Sequence, residues 1–196
     1  MMVKRLYILI AAALVVVALA GCGQPYSYHG MPLESPKPAA DFTLDSSRGG
    51  PVSLSDLRGK VVPIYFGYTF CPDVCPTTLS TMNKALELMG DKAKDVQFVM
   101  VTVDPQRDRA EVLRQYLANF NASFIGLTGT PEQISAVATP FGIYYQQHEG
   151  SAATGYLVDH TASLTVLDKQ GRTRLLIPFD APAEDIAEDL EHLLRE

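Results

Sequence analysis

Hydrophobic positions along the chain fall into blocks of different period. Leu6 to Ala20 is unbroken apolar sequence, and Gly23 to Ala40 then sets Pro25, Pro32, Pro36 and Pro38 among glycine and serine. That second composition predicts an extended tether. Folded structure is expected from Asp41-Phe42-Thr43-Leu44, followed by a turn at 46–50 and a lead-in through Leu54 and Leu57. Val61 to Phe66 is dense in β-branched and aromatic residues, as a strand buried on both faces requires. Leu79, Met82, Leu86 and Met89 recur at helical spacing, predicting a helix over 77–88 that stops at Gly90. A buried strand follows at 96–103, then an amphipathic helix at 109–120, a short strand at 124–127 and a helix opened by Pro131. The polar stretch 144–151 reads as a loop or hairpin. Strands at 163–167 and 174–177 flank the turn Asp168-Lys169-Gln170-Gly171, and 183–195 closes the chain as a helix.

Alternating strands and helices followed by a hairpin predict an α/β domain, with a central mixed sheet flanked by helices. Two cysteines leave the first buried strand and enter the first helix, where thioredoxin-like folds place theirs. The expected architecture is therefore thioredoxin-like, with an N-terminal tether and a β-hairpin or loop insertion. Such a fold does not by itself assign a function.

The chain ends and the charge narrow the setting. Lys4 and Arg5 precede the apolar run, which is shorter than the ~20 residues of a membrane span and suits a signal-peptide core. It ends in Leu19-Ala20-Gly21-Cys22, which resembles the bacterial lipobox and implies cleavage before Cys22 with a lipid on its sulfur. The other reading is an uncleaved anchor helix. Either places the remaining chain outside the cytoplasm beside a membrane, facing the periplasm if the lipid sits in the cytoplasmic membrane. The expected division is a signal at 1–21, a tether at 22–40 and one domain at 41–196. The net charge is −6 with Lys4 and Arg5 included, and no basic cluster stands out, which argues against a nucleic-acid partner.

Candidate chemistry centres on Cys71-Pro72-Asp73-Val74-Cys75-Pro76. With Cys22 lipidated, Cys71 and Cys75 are the remaining pair. A bond between them would close so short a loop that it would add little stability, so the pair is there for chemistry. Cysteines at a helix start suit thiol–disulfide exchange, because the positive end of the helix dipole stabilises a thiolate. They also suit a soft metal, because residues four apart share one helical face. Of four histidines, His29 in the tether and His192 on the last helix read as solvated, and His148 could reach the site only if its loop folds over it. His160 precedes the 163–167 strand, beside the cysteines in a thioredoxin-like topology. Two thiolates and an imidazole would suit Cu(I), while a His160 that only caps a loop is the plainer structural alternative. Asp159 and Asp73 are candidates to tune such a site from outside the ligand set.

Gly67-Tyr68-Thr69-Phe70-Cys71-Pro72-Asp73-Val74-Cys75-Pro76, Val103-Asp104-Pro105-Gln106-Arg107-Asp108 and Asp159-His160-Thr161-Ala162-Ser163 together resemble the Sco/SenC family. The resemblance spans about residues 40–195. It implies a thioredoxin-like copper chaperone for cytochrome c oxidase assembly, with copper on Cys71, Cys75 and His160. The implied partners are the copper-accepting subunit of the oxidase, an upstream copper donor and a thiol reductant. Many relatives keep a transmembrane helix where this chain carries the lipobox-like sequence. Asp108 reads as an N-cap for the helix at Arg109, with Pro105 fixing the preceding turn. The rival activity is a thiol–disulfide oxidoreductase that uses Cys71 and Cys75 as a redox pair. A peroxidase of the peroxiredoxin type is disfavoured, because Tyr68 stands where the threonine of its Pro-x-x-x-Thr-x-x-Cys arrangement would be.

Overall fold

The structure, a computed structural model, describes residues 26–151 and 155–196, so Cys22 and the leader lie outside the described residues. In chain order these residues form β1 (Met31–Pro32), β2 (Thr43–Ser46), β3 (Pro51–Ser53), β4 (Val62–Gly67), α1 (Val74–Met89), β5 (Val99–Thr102) and α2 (Ala110–Ala118). There follow β6 (Ile125–Thr128), α3 (Pro131–Ala138), β7 (Tyr145–Glu149), β8 (Tyr156–His160), β9 (Leu164–Leu167), β10 (Thr173–Ile177) and α4 (Ala183–Arg195).

Eight strands form one sheet in the order β1-β10-β9-β4-β5-β6-β2-β3. β4, β5 and β6 run parallel at its centre and are buried along their whole length, as their continuous apolar sequences require. β9 and β2 join this centre antiparallel, which makes the sheet mixed. α1 and α2 are the crossovers that keep β4, β5 and β6 parallel, and both lie on one face. On that face Gly126 of β6 lies against Leu113 and Leu117 of α2, and Asn121 just beyond α2 bonds Asn83 of α1. α4 packs on α1 on the same face. The other face receives the short helical turn Thr139–Phe141 after α3, where Phe141 meets Phe66 and Phe42. The expected thioredoxin-like α/β architecture is the one observed.

One difference from expectation concerns an edge. Residues 26–40, expected as tether, run along the domain instead: β1 pairs with β10, and Pro38 bridges Arg172. The polar stretch 144–151, expected as a loop or hairpin, supplies β7, which pairs with β8 in a separate two-stranded sheet. Among the described residues, no helix is long and apolar enough to cross a membrane.

Candidate metal centre

β4 and β5 end side by side, Gly67 paired with Thr102, and the loops after them build the site. Such loops at the carboxyl ends of parallel strands are the usual binding crevice of α/β sheets. The loop after β4 carries Cys71 and turns into α1, whose second residue is Cys75. Cys75 is fully buried and Cys71 half-buried. From the opposite side, β8 brings in His160 at its last position. One ligand atom from each of Cys71, Cys75 and His160 can be chosen so that all three lie within 4.8 Å of one another. His160 Nε2 stands 3.5 Å from Cys75 Sγ.

The ring orientation of His160 follows from its other nitrogen. Nδ1 lies 3.1 Å from the Thr161 carbonyl oxygen, which can only accept, so Nδ1 carries the proton and donates. Nε2 faces the sulfurs, the arrangement of a ligating histidine: carrying a proton it donates to them, and without one it offers a metal its lone pair. Tyr65 and Tyr68 pack edge-on against the ring at 5.9 and 5.8 Å between centroids, which holds its plane.

The two sulfurs differ in proton affinity. Hydrogen bonding from the Cys75 thiol draws the Cys71 pKa well below the ordinary thiol range, against its burial. His160 and the backbone N–H groups of Asp73 and Cys75 add to the same effect, placing a thiolate at the start of α1. Cys75 is pushed the other way, by donating its proton to Cys71 and by burial, although Tyr65 Oη donates to Cys75 Sγ at 3.3 Å. The pair therefore shares one proton held on the inner sulfur. Three soft or borderline donors around one point, one sulfur already ionised, can hold a thiophilic metal ion or exchange with a disulfide.

A family model described as SCO1/SenC matches residues 31–195. The chain belongs to the SCO1/SenC family. It is 34% identical over 187 residues to the SCO2-like protein RP587 of Rickettsia prowazekii, covering 95% of this chain and 88% of that protein. Among solved structures, the apo Sco1 of Thermus thermophilus is 43% identical with a TM-score of 0.77, covering 88% of this chain and 100% of that one. The ScoI of Bradyrhizobium japonicum, solved with copper bound, is 34% identical with a TM-score of 0.74, covering 81% of this chain and 100% of that one.

Of the site residues expected from sequence, this Sco chain brings Cys71, Cys75 and His160 together and leaves the two outer carboxylates apart from them. Asp159 faces away from His160: neighbours in a strand point to opposite faces, and its carboxylate takes His148 Nε2 at 3.1 Å on the exposed side of the hairpin. His148 is thereby occupied outside the cluster. Asp73 is exposed and its side chain makes no capping bond, so its contribution is the backbone N–H that meets Cys71. His29, expected to be solvated, is exposed beside Asp185 and Glu188 of α4, while His192 on α4, expected to be solvated too, is half-buried and stacks on Tyr26 at 4.0 Å.

Asp108 corrects a further expectation. The cap of α2 is Arg109, without a side-chain capping bond, and Asp108 points inward with no exposed surface. Its carboxylate accepts from Thr69 N at 2.9 Å, Thr69 Oγ1 at 2.5 Å and Thr102 Oγ1 at 2.8 Å. It thus ties the loop two residues before Cys71 to the end of β5. Burial pushes its pKa up in spite of those three donors. Sequence reading also gave no role to Gly67. A Cβ there would lie 2.5 Å from the Tyr65 ring and 3.0 Å from Cys75 Sγ, so only glycine lets the Tyr65–Cys75 contact form. The alternation of β4, which puts Tyr65 and Gly67 on the face of α1, is the signal that could have found both.

Proposed function

We propose that this chain is a copper carrier that holds Cu(I) on Cys71, Cys75 and His160 and hands it to a thiolate-rich copper centre of a partner. The observation that supports this best is the convergence of two sulfurs and an imidazole nitrogen on one point at the protein surface. Family membership adds to it: the Bradyrhizobium relative was solved with copper bound, and the Sco family is described as one of cytochrome c oxidase assembly proteins. The recipient is then the copper-accepting subunit of that oxidase. Half-buried Cys71 is the sulfur an incoming partner thiolate reaches first, and Cys75 at the floor of the site releases the metal last. Lipidation at Cys22 would hold the carrier on the outer face of the cytoplasmic membrane, beside a membrane-bound recipient.

The thiolate–thiol pair also favours a second reading, reduction of the partner's own cysteines before metallation. Cys71 would attack a partner disulfide, forming a mixed disulfide. Cys75 would then displace the partner thiolate, leaving a Cys71–Cys75 disulfide and two reduced partner sulfurs. A His160→Ala variant separates the two. The domain is purified reduced without oxygen, and bound copper per chain is measured beside Cys71→Ser and Cys75→Ser. The carrier reading expects one copper per parent chain, loss in both serine variants, and affinity weakened at least tenfold in His160→Ala with disulfide exchange intact. Parent-like affinity in His160→Ala would overturn the three-ligand site.

A further inference from the structure

β7 and β8 pair with each other and not with the main sheet, so side chains must hold the His160 hairpin over the cysteines. Alternation along β8 turns Tyr156, Val158 and His160 toward the domain, and each meets a different anchor. The Arg107 guanidinium lies on the Tyr156 ring, Cζ 3.6 Å from its centroid, while Nη1 donates to the Tyr156 carbonyl oxygen at 3.1 Å. Tyr156 Oη donates to Asp104 at 2.7 Å, and Arg107 Nε donates to the same buried carboxylate. Arg107 also stands 4.9 Å from the ring centroid of Phe70, the neighbour of Cys71, and 5.8 Å from that of Tyr68. Val158 N–H donates to Tyr68 Oη at 3.2 Å, and the Tyr68 ring meets His160 edge-on.

We infer that Arg107 is a positioning residue, the centre of a clasp that fastens the His160 hairpin to the Cys71 loop. This rests on the reading of Cys71, Cys75 and His160 as the copper site. A flat cation with several donors can stack on Tyr156, bond its carbonyl and pair with Asp104 at once, which an ammonium cannot. The clasp grips β8 at Tyr156, roughly 13 Å along the strand from His160 at ~3.3 Å per residue. Gripped there and at Val158, the strand cannot tilt or roll. That restraint matters because metal–ligand distances tolerate only about 0.2 Å.

The test measures Cu(I) affinity by competition with a chromogenic chelator for Arg107→Ala and Arg107→Lys, each alone and combined with His160→Ala. Amide exchange at Val158 is followed in the same proteins. Expected results are a loss of at least tenfold for Arg107→Ala, an intermediate loss for Arg107→Lys, and no further loss from either change once His160 is gone. Exchange at Val158 should quicken in Arg107→Ala. An equal loss in both backgrounds would mean general destabilisation and overturn the clasp, as would parent-like affinity in Arg107→Ala. If the parent chain itself binds no Cu(I), the copper reading fails separately. Exchange at Val158 then decides, and an unchanged rate overturns the clasp.

Discussion

Cys71 and Cys75 share one helix end yet hold protons very differently, and that difference sets how the site responds to pH. Cys71 is ionised across the neutral range because Cys75, His160 and two backbone N–H groups support its charge. Cys75 keeps its proton because it is buried and shares it with that thiolate. A metal bound by both sulfurs must expel the Cys75 proton, so acid opposes binding. Apparent Cu(I) affinity should therefore rise about tenfold per pH unit between about pH 7 and pH 9, one proton released per metal. Competition titrations across that range check it, and a hundredfold rise per unit would mean that both thiols start protonated. Asp108 marks where residue-level reading of the sequence stops. An aspartate before a helix is a good N-cap by propensity, but Thr69 and Thr102 reach it from two other segments, and no local spacing encodes that meeting.

At the scale of elements, period alone located most of the fold. β4 and β5 announce themselves by continuous apolar sequence, and α1 by the spacing of Leu79, Met82, Leu86 and Met89, all buried on one face. β8 was harder to read, because Leu157 beside Val158 blurs the alternation that would mark a half-buried strand. That blur also hid which residues face the site. With the register fixed by Tyr145 opposite His160, Tyr156, Val158 and His160 share the inner face and Asp159 the outer. Asp159→Ala should accordingly leave Cu(I) affinity within about twofold of the parent, since an exposed pair with His148 is worth only ~0–1 kcal/mol. A clear loss in the same competition assay would show that the carboxylate acts on His160 after all. The cysteines and His160 were legible as candidates from spacing, and their order along the chain matched a family pattern. Their supports were not, since Tyr65, Tyr68, Arg107 and Asp108 act through contacts between distant segments.

For the whole molecule, the segment that composition marks as a tether is an edge strap. Pro32, Pro36 and Pro38 there keep the chain extended, and extension lets it lie along an open sheet edge as well as float free. β1 covers β10, a way of closing an edge that would otherwise invite pairing with another chain. The strap is fastened to α4 through Asp189, which is buried and accepts from Tyr26 Oη at 2.8 Å, His29 N at 3.0 Å and Gly30 N at 2.8 Å. Tyr28 Oη adds a bond to Glu196 at 2.7 Å. If Cys22 carries a lipid, only four residue steps separate it from Tyr26, at most about 14 Å of extended chain. The domain would then lie close against the membrane rather than well clear of it. A domain beginning at residue 41 would leave the Asp189 carboxylate without those three donors and uncover β10. The expected loss is about 2–4 kcal/mol, since hydrogen bonds to a charged carboxylate are worth about 1.5–3 kcal/mol each and water regains part of them. For a domain of this size that corresponds to a melting temperature lower by on the order of 10 °C than that of a domain beginning at residue 26. Asp189→Ala in the longer domain should reproduce only part of the loss, because it removes the acceptor while β1 stays paired. Thermal unfolding of the three proteins side by side decides the matter, and equal melting of the two truncations would return residues 26–40 to the role of a passive linker.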